Sequence, residues 1–208
     1  MSVIDQEKTK INPKEIIDEN IQKLKDQGIA PGLSVGDQAP DFDLPDENGD
    51  YVSLYELITE GDAVVLSFYR GDWCSHCNRE LKSLQDALPQ ITSLGASIVA
   101  IAPQRSENAK GLVDSHSLGF PLLSDEKMET IKNYNIHFTK PYEIQKIYKN
   151  ILNLNLPELT ANKTWELPVP ATFIIDRNGI IRAKFVDLNY KNRMGTVEII
   201  NILKSINS

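Results

Sequence analysis

Apolar positions follow two rhythms along this chain, one helical and one continuous, and each predicts a different kind of element. Between residues 12 and 27, Ile17, Ile21 and Leu24 recur at helical spacing behind Asn12 as a cap and Pro13 at the first helical position, and Gly28 and Pro31 close the stretch. This predicts an amphipathic helix that precedes the main pattern and packs on the outside of the domain or against a second subunit, which leaves a homodimer open. From Val35 the rhythm changes. Residues 41–44 and 51–54 flank the turn-forming run 46–50 and predict a hairpin. The apolar run from Ala63 to Tyr69 predicts a strand buried on both faces. Leu81, Leu84, Leu88, Ile91 and Leu94 mark a helix after it, which Pro89 should kink or divide and Gly95 should end. A second buried strand, Ser97 to Ala102, completes a βαβ unit whose strands must be parallel with a right-handed crossover.

Beyond this unit, Ser106 is expected to cap a helix that stops near Gly119, followed by a short strand from Phe120 to Leu123. Residues 138–168 lose the rhythm. They hold a helix opened by Pro141 and then a Leu-, Asn- and Pro-containing stretch ending at Trp165, and they read as an insertion beside the active face. Ala171 to Ile175 and Ile180 to Val186 flank Asp176, Arg177, Asn178 and Gly179, a strong hairpin signal, and a helix from about Thr196 closes the chain. No internal repeat or low-complexity tract interrupts this order.

Length and charge narrow the function. A chain of 208 residues buries roughly two-thirds to three-quarters of its unfolded surface as a single domain with extensions. With 41% hydrophobic and 25% charged residues and no apolar run near the ~20 a span requires, the chain is expected to be soluble, without a membrane partner. The start at Met1 lacks the apolar stretch of a secretory signal, so a cytoplasmic location is expected. A net charge of −7 with no basic run gives no electrostatic footprint for nucleic acid.

The chemistry concentrates in the two cysteines, Cys74 and Cys77, three residues apart where the strand ending at Tyr69 hands over to the helix carrying Leu81. A thiol at a helix N-terminus meets unpaired N–H groups and the positive end of the helix dipole, which favour thiolate over thiol. Cys74 is thereby the nucleophile, and Cys77, one turn deeper, is placed to resolve a mixed disulfide or sulfenic acid formed on it. His76 lies between them: as a cation it would lower the thiol pKa further, and as a solvent-facing spacer it would do nothing. Two other readings of the pair are buried structural thiols and half of a metal site. Zinc or copper would require two more ligands, and neither His116 nor His137 has ligand spacing to the pair. Val169 and Pro170 directly precede the first strand of the C-terminal hairpin. A proline at a strand start is in one reading an ordinary edge residue; in a thioredoxin-like fold this position would face the dithiol as a cis-proline, and Val169 would offer its backbone to an extended substrate.

The order βαβ, β-hairpin, helix is that of a thioredoxin-like domain, and the motifs resemble the peroxiredoxin-like branch of the alkyl hydroperoxide reductase/thiol-specific antioxidant (AhpC/TSA) family. The residues that carry the resemblance are Gly36 to Phe42, Phe68 to Cys74, Pro121 to Asp125, and Thr172 to Asp176 with Gly179. It implies an α/β fold with a central mixed β-sheet flanked by helices. Residues 1–34 would form an N-terminal helical extension and residues 35–208 the domain, with an insertion at about 138–168 before the cis-proline strand. Peroxiredoxins also place a hydroxyl residue three positions before the peroxidatic cysteine and an arginine near the proline position, to hold the peroxide oxygens. Here those places hold Gly71 and Pro170, and Arg70 is the cation able to substitute. The Trp73–Cys74 dithiol motif resembles thioredoxins instead, but these carry a buried acid six residues before the first cysteine, where this chain has Phe68; proton removal from Cys77 must use another base or water. Arg70, Gly71 and Asp72 also spell an integrin-binding tripeptide, which chance explains on an active loop.

These residues predict a thiol oxidoreductase that cycles between dithiol and disulfide without metal, flavin, haem or other cofactor. The substrate is a peroxide, reduced with electrons from a thioredoxin- or glutathione-like donor, or alternatively a protein or small-molecule disulfide. A redox-inactive metal-holding module is the third reading.

Overall fold

The computed structural model describes residues 12–206. Its elements in chain order are α1 (Pro13–Asp26), β1 (Asp43–Pro45), β2 (Tyr51–Ser53), α2 (Leu54–Glu60), β3 (Ala63–Phe68), α3 (Ser75–Ser93), β4 (Ala96–Ala102), α4 (Ser106–His116) and β5 (Leu122–Ser124). They continue with α5 (Glu129–Asn133), β6 (His137–Thr139), α6 (Tyr142–Asn150), α7 (Leu156–Leu159), β7 (Glu166–Pro168), β8 (Ala171–Asp176), β9 (Ile181–Val186) and α8 (Thr196–Ile206).

Five strands form the central sheet in the order β5-β4-β3-β8-β9. β3 pairs in parallel with β4 and antiparallel with β8, so the strand that reads as a continuous apolar run is the middle one. Its side chains alternate between two cores. Ala63, Val65 and Tyr69 join Leu81, Leu84 and Ile91 of α3, Leu112 of α4, and Ile199 and Leu203 of α8. Val64, Leu66 and Phe68 join Phe42, Leu54 and Ile131 on the opposite face. The mixed sheet with helices on both faces is the architecture expected from the sequence.

α1 is capped by Asn12, whose side chain accepts from the Lys14 N–H, and it lies against α6. Ile17 is buried among Ile144, Ile147, Tyr148 and Leu167, and Lys25 pairs with Asp187 at 2.5 Å. The helix therefore closes over the chain's own 138–168 segment.

Several local expectations need correction. Pro89, expected to kink or divide its helix, does not divide it: α3 runs from Ser75 to Ser93 in one piece, with the buried Ile91 keeping the last turn on the core. Ser106 is the first helical residue of α4 rather than its cap, with its hydroxyl 3.3 Å from Ser124 Oγ; Arg105 holds the cap position. The strand expected from Phe120 lies at β5. The segment 138–168 contains the helix opened by Pro141, but it also has strand structure, since β7 returns to pair with β6 antiparallel. Finally, the described residues contain no cis peptide bond, so Pro170 is trans. The chain runs extended from β7 toward β8, and the Val169 N–H donates to Ile136 O at 2.7 Å, a path that the lower-energy trans bond continues. This engages the N–H of the Val169 backbone, the backbone expected to be offered to substrate.

Candidate active site

Cys74 caps α3. Its sulfur accepts from the Cys77 N–H at 3.4 Å, which places it at the positive end of the helix as the strand-to-helix junction required. The two cysteines form a disulfide with a Cα–Cα distance of 5.3 Å, and they are 2% and 0% exposed.

The preceding loop is fixed by Asp72. Its N–H donates to Gln104 Oε1, its carboxylate accepts from Trp73 N and Asn108 Nδ2, and its carbonyl accepts from Asn78 Nδ2, all at 2.9 Å. Gly71 has φ +134°, and a Cβ there would come within 2.7 Å of the Trp73 indole nitrogen. The position where peroxiredoxins carry a hydroxyl residue is thus closed here by backbone conformation and by the tryptophan packed over it.

Arg70 turns inward. It is 5% exposed, with its Nη2 3.1 Å from Cys74 Sγ and its Nη1 3.5 Å from Tyr148 Oη. The guanidinium stacks 4.0 Å from the Tyr190 ring centroid and 5.0 Å from that of Trp73, and its buried Nε has no protein partner. Burial pulls its pKa down, against the favourable influence of Tyr148.

A second guanidinium serves the other sulfur. Arg193 Nη2 lies 3.4 Å from Cys77 Sγ, while its Nε donates to Glu80 Oε2. Glu80 sits on α3 one turn after Cys77. Burial raises its pKa to about 7, against the opposing charge and hydrogen bond of Arg193 and a hydrogen bond with Thr172. A carboxyl that rises from 4.5 to about 7 on folding binds its proton more tightly in the folded state. Its contribution to stability is full below pH 4.5 and is lost as pH rises through 7. The stability of the oxidised protein relative to Glu80→Gln should therefore fall by on the order of 2–3 kcal/mol between pH 4.5 and 7.5. Urea unfolding of both proteins across that range checks this; a pH-independent difference would show that Glu80 does not titrate there.

His76 is not the cation considered for it. Burial lowers its pKa, as do Arg79, Arg70, Arg193 and Lys191, and its Nδ1 faces Arg79 Nη2 at 2.7 Å. The neutral ring stands edge-on to Tyr190, with centroids 5.5 Å apart, and positive charge beside the sulfurs comes from Arg70 and Arg193. Pro170 lines a narrow slot with Arg70, Lys140 and Tyr190, roofed by Ile17 and Ile21 of α1. Val169 is fully buried beside it.

The structure thus brings Cys74, Cys77, Trp73, Arg70 and Pro170 together and adds Glu80, Arg193, Tyr148, Lys140 and Tyr190, which sequence reasoning did not find. Only Glu80 carried a local signal, the helical offset from Cys77. The others lie more than 60 residues away in sequence, on segments whose placement depends on the fold.

A dithiol capping the helix that follows the central strand of a mixed sheet makes this protein a thiol oxidoreductase with a thioredoxin-like fold. The AhpC/TSA family model matches residues 35–184, and the chain belongs to the AhpC/TSA family. A Mycobacterium tuberculosis protein named "Putative peroxiredoxin Rv2521" is 30% identical over 149 residues, covering 72% of this chain and 82% of the relative. Peroxiredoxin Bcp of Escherichia coli is 26% identical over 165 residues, 79% of this chain and 93% of the relative. Among solved structures, peroxidoxin BcpB from Mycobacterium tuberculosis superposes with a TM-score of 0.66 at 20% identity, covering 85% of this chain and 99% of that one, and it shares the fold. Membership implies a thiol reductant as partner and a peroxide as substrate. Among the described residues no helix is long and apolar enough to cross a membrane.

Proposed function

We propose that this protein reduces peroxides by a two-cysteine mechanism in which Cys74 is oxidised and Cys77 resolves it. The observation that carries the reading is the Arg70 guanidinium beside Cys74 Sγ, at 3.1 Å. The Cys74 thiolate attacks one peroxide oxygen, the S–O bond forms as the O–O bond breaks, and Arg70 stabilises the negative charge developing on oxygen. Cys77 then attacks the sulfenic acid and releases water, leaving the disulfide. Arg193 stabilises the negative charge that develops on the Cys77 sulfur as its proton leaves, and Glu80, poised near neutrality, balances that arginine as a positioning residue. Two electrons from a thioredoxin- or glutathione-like dithiol or thiol return the enzyme to its starting state.

Arginines beside both sulfurs oppose a metal cation there, which sets the metal-holding reading aside. In the same reading residues 1–34 are an N-terminal extension, helical over Pro13–Asp26, to a domain spanning 35–208, with residues 1–11 and 207–208 lying outside the described residues; residues of about 138–168 form an insertion that covers the dithiol, and the protein works in the cytoplasm. The test is to mix the reduced protein rapidly with hydrogen peroxide and with oxidised glutathione, following Trp73 fluorescence. Peroxide oxidation should exceed that of a free cysteine thiolate by at least about 100-fold, the worth of one preorganised charge contact. Reaction with the disulfide alone would assign the protein to thiol-disulfide exchange instead.

A further inference from the structure

We infer that Tyr148 is the proton donor for the oxygen that leaves during peroxide cleavage, so that α6 supplies the hydroxyl that the loop before Cys74 cannot carry. This rests on the peroxide-reducing reading above. Three observations support it. Tyr148 is 2% exposed, and its hydroxyl is joined to Cys74 through one guanidinium: Arg70 Nη1 is 3.5 Å from Tyr148 Oη and Arg70 Nη2 is 3.1 Å from Cys74 Sγ. On its other side Lys140, only 7% exposed, places its ammonium 4.3 Å from the Tyr148 ring centroid. Among the described residues no carboxylate pairs with either cation: Glu80 is taken up by Arg193, and the Asp72 carboxylate by Trp73 N and Asn108 Nδ2. Burial pushes the Tyr148 phenol up, but the charges of Lys140 and Arg70 outweigh it and bring the group below its ordinary value.

Two buried cations without a carboxylate are costly unless an anion stands between them. In the reduced enzyme the Cys74 thiolate is the anion beside Arg70, and the Tyr148 hydroxyl is the group that stands between Arg70 and Lys140 and can become one. When the thiolate attacks the peroxide, two electrons pass from sulfur to the O–O bond, Cys74–S–OH forms, and the alkoxide or hydroxide leaves. If Tyr148 protonates it, the products are alcohol or water and a phenolate, and the single negative charge has moved from sulfur to phenol within the field of the same two cations. The net charge of the buried cluster is unchanged, so the step requires no new desolvation. Cys77 thiol then attacks the sulfenic sulfur, the S–S bond forms, and hydroxide departs as water with the Cys77 proton. The phenolate regains its proton from solvent, and the reducing dithiol returns that proton when it restores Cys74 as thiolate and Cys77 as thiol. The Gly71 backbone and the Trp73 indole over it exclude a hydroxyl from the loop itself, which is why the donor comes from a distant helix.

Tyr148→Phe tests this, with three reagents on the reduced protein. Hydrogen peroxide expels hydroxide and needs a proton, peracetic acid expels acetate and does not, and iodoacetamide expels iodide and reads only the thiolate. A general acid is worth 10²–10⁴-fold, and water replaces it in part, so oxidation by hydrogen peroxide should slow at least about tenfold while the other two rates stay within about twofold. Unchanged hydrogen peroxide oxidation, or an equal fall in all three rates, would overturn the assignment, the second outcome marking a structural role. A wild-type protein no faster with hydrogen peroxide than free cysteine would instead overturn the peroxide-reducing reading, and the proton donor with it.

Discussion

Cys74→Ser should abolish turnover with every substrate, whereas Cys77→Ser should react once and then wait, its remaining sulfur oxidised, for an external thiol. The asymmetry follows from placement. Cys74 caps α3 and receives the Cys77 N–H as well as the Arg70 guanidinium, while Cys77 sits inside the first turn with Arg193 at 3.4 Å. Only the first sulfur lies where an incoming oxygen also meets Arg70, so loss of Cys74 removes the bond-forming atom itself. In Cys77→Ser the sulfenic acid has no resolving thiol within reach, and it should be trapped by dimedone at one equivalent per chain and detected as the corresponding mass increase. Steady-state turnover in that variant should fall to the rate at which an external thiol attacks a buried sulfenic acid. Cys74→Ser should show no dimedone adduct. An adduct on Cys77 in that variant, formed as fast as on Cys74, would reverse the roles.

Arg70→Met should slow oxidation by hydrogen peroxide on the order of 100-fold, the loss expected for one preorganised charge contact at the transition state. Methionine keeps an unbranched apolar stem against Tyr190 and Trp73, so the packing that Arg70 provides is largely retained. Part of any loss comes from a less stabilised thiolate, and that part affects every electrophile equally. Exchange with oxidised glutathione leaves its charge on sulfur rather than on a leaving oxygen, so it should slow by less than about tenfold in the same variant. The ratio of the two losses isolates the contribution to O–O cleavage. Equal losses would mean that Arg70 acts only on the thiolate, and no loss with peroxide would mean that another group stabilises the leaving oxygen.

Much of the architecture was legible because it is written in periodicity. The run Ala63 to Tyr69 announces a strand covered on both faces, and β3 is the middle strand, sending alternate residues into the two cores. Asn12 and Pro13 fix where α1 begins, and the residues 176–179 fix the β8–β9 turn, through hydrogen bonds of Asp176 to the Asn178 and Ile180 N–H groups at 2.9 Å. Weaker local signals failed where tertiary contacts outweighed them. Pro89 costs a helix hydrogen bond, but the burial of Ile91 holds α3 in one piece. β6 and β7 are three residues each and exist because they pair with one another, which no window of sequence reveals.

At the site, sequence alone located the candidate nucleophile, because a cysteine at a strand-to-helix junction is placed against the N–H groups of its own helix, a property of consecutive residues, and Cys74 does cap α3. It also singled out Arg70 as the cation able to replace a missing one, and the structure turns that side chain onto Cys74 Sγ. The remaining electrostatics was decided by the tertiary structure. His76, adjacent in sequence, is held neutral by burial and by surrounding arginines and a lysine, whereas Arg193, 116 residues from Cys77, reaches its sulfur. Glu80 is driven to about 7 only because folding buries it, an effect that Arg193, brought onto it by the same folding, offsets in part. Tyr148 and Lys140 meet Arg70 only because α1 and the β6–β7 pair fold the 138–168 segment back over the dithiol. Helix termini act over a single turn and can be read from a chain; buried charges act over a few ångströms of low-dielectric space, whose occupants only the packed fold selects.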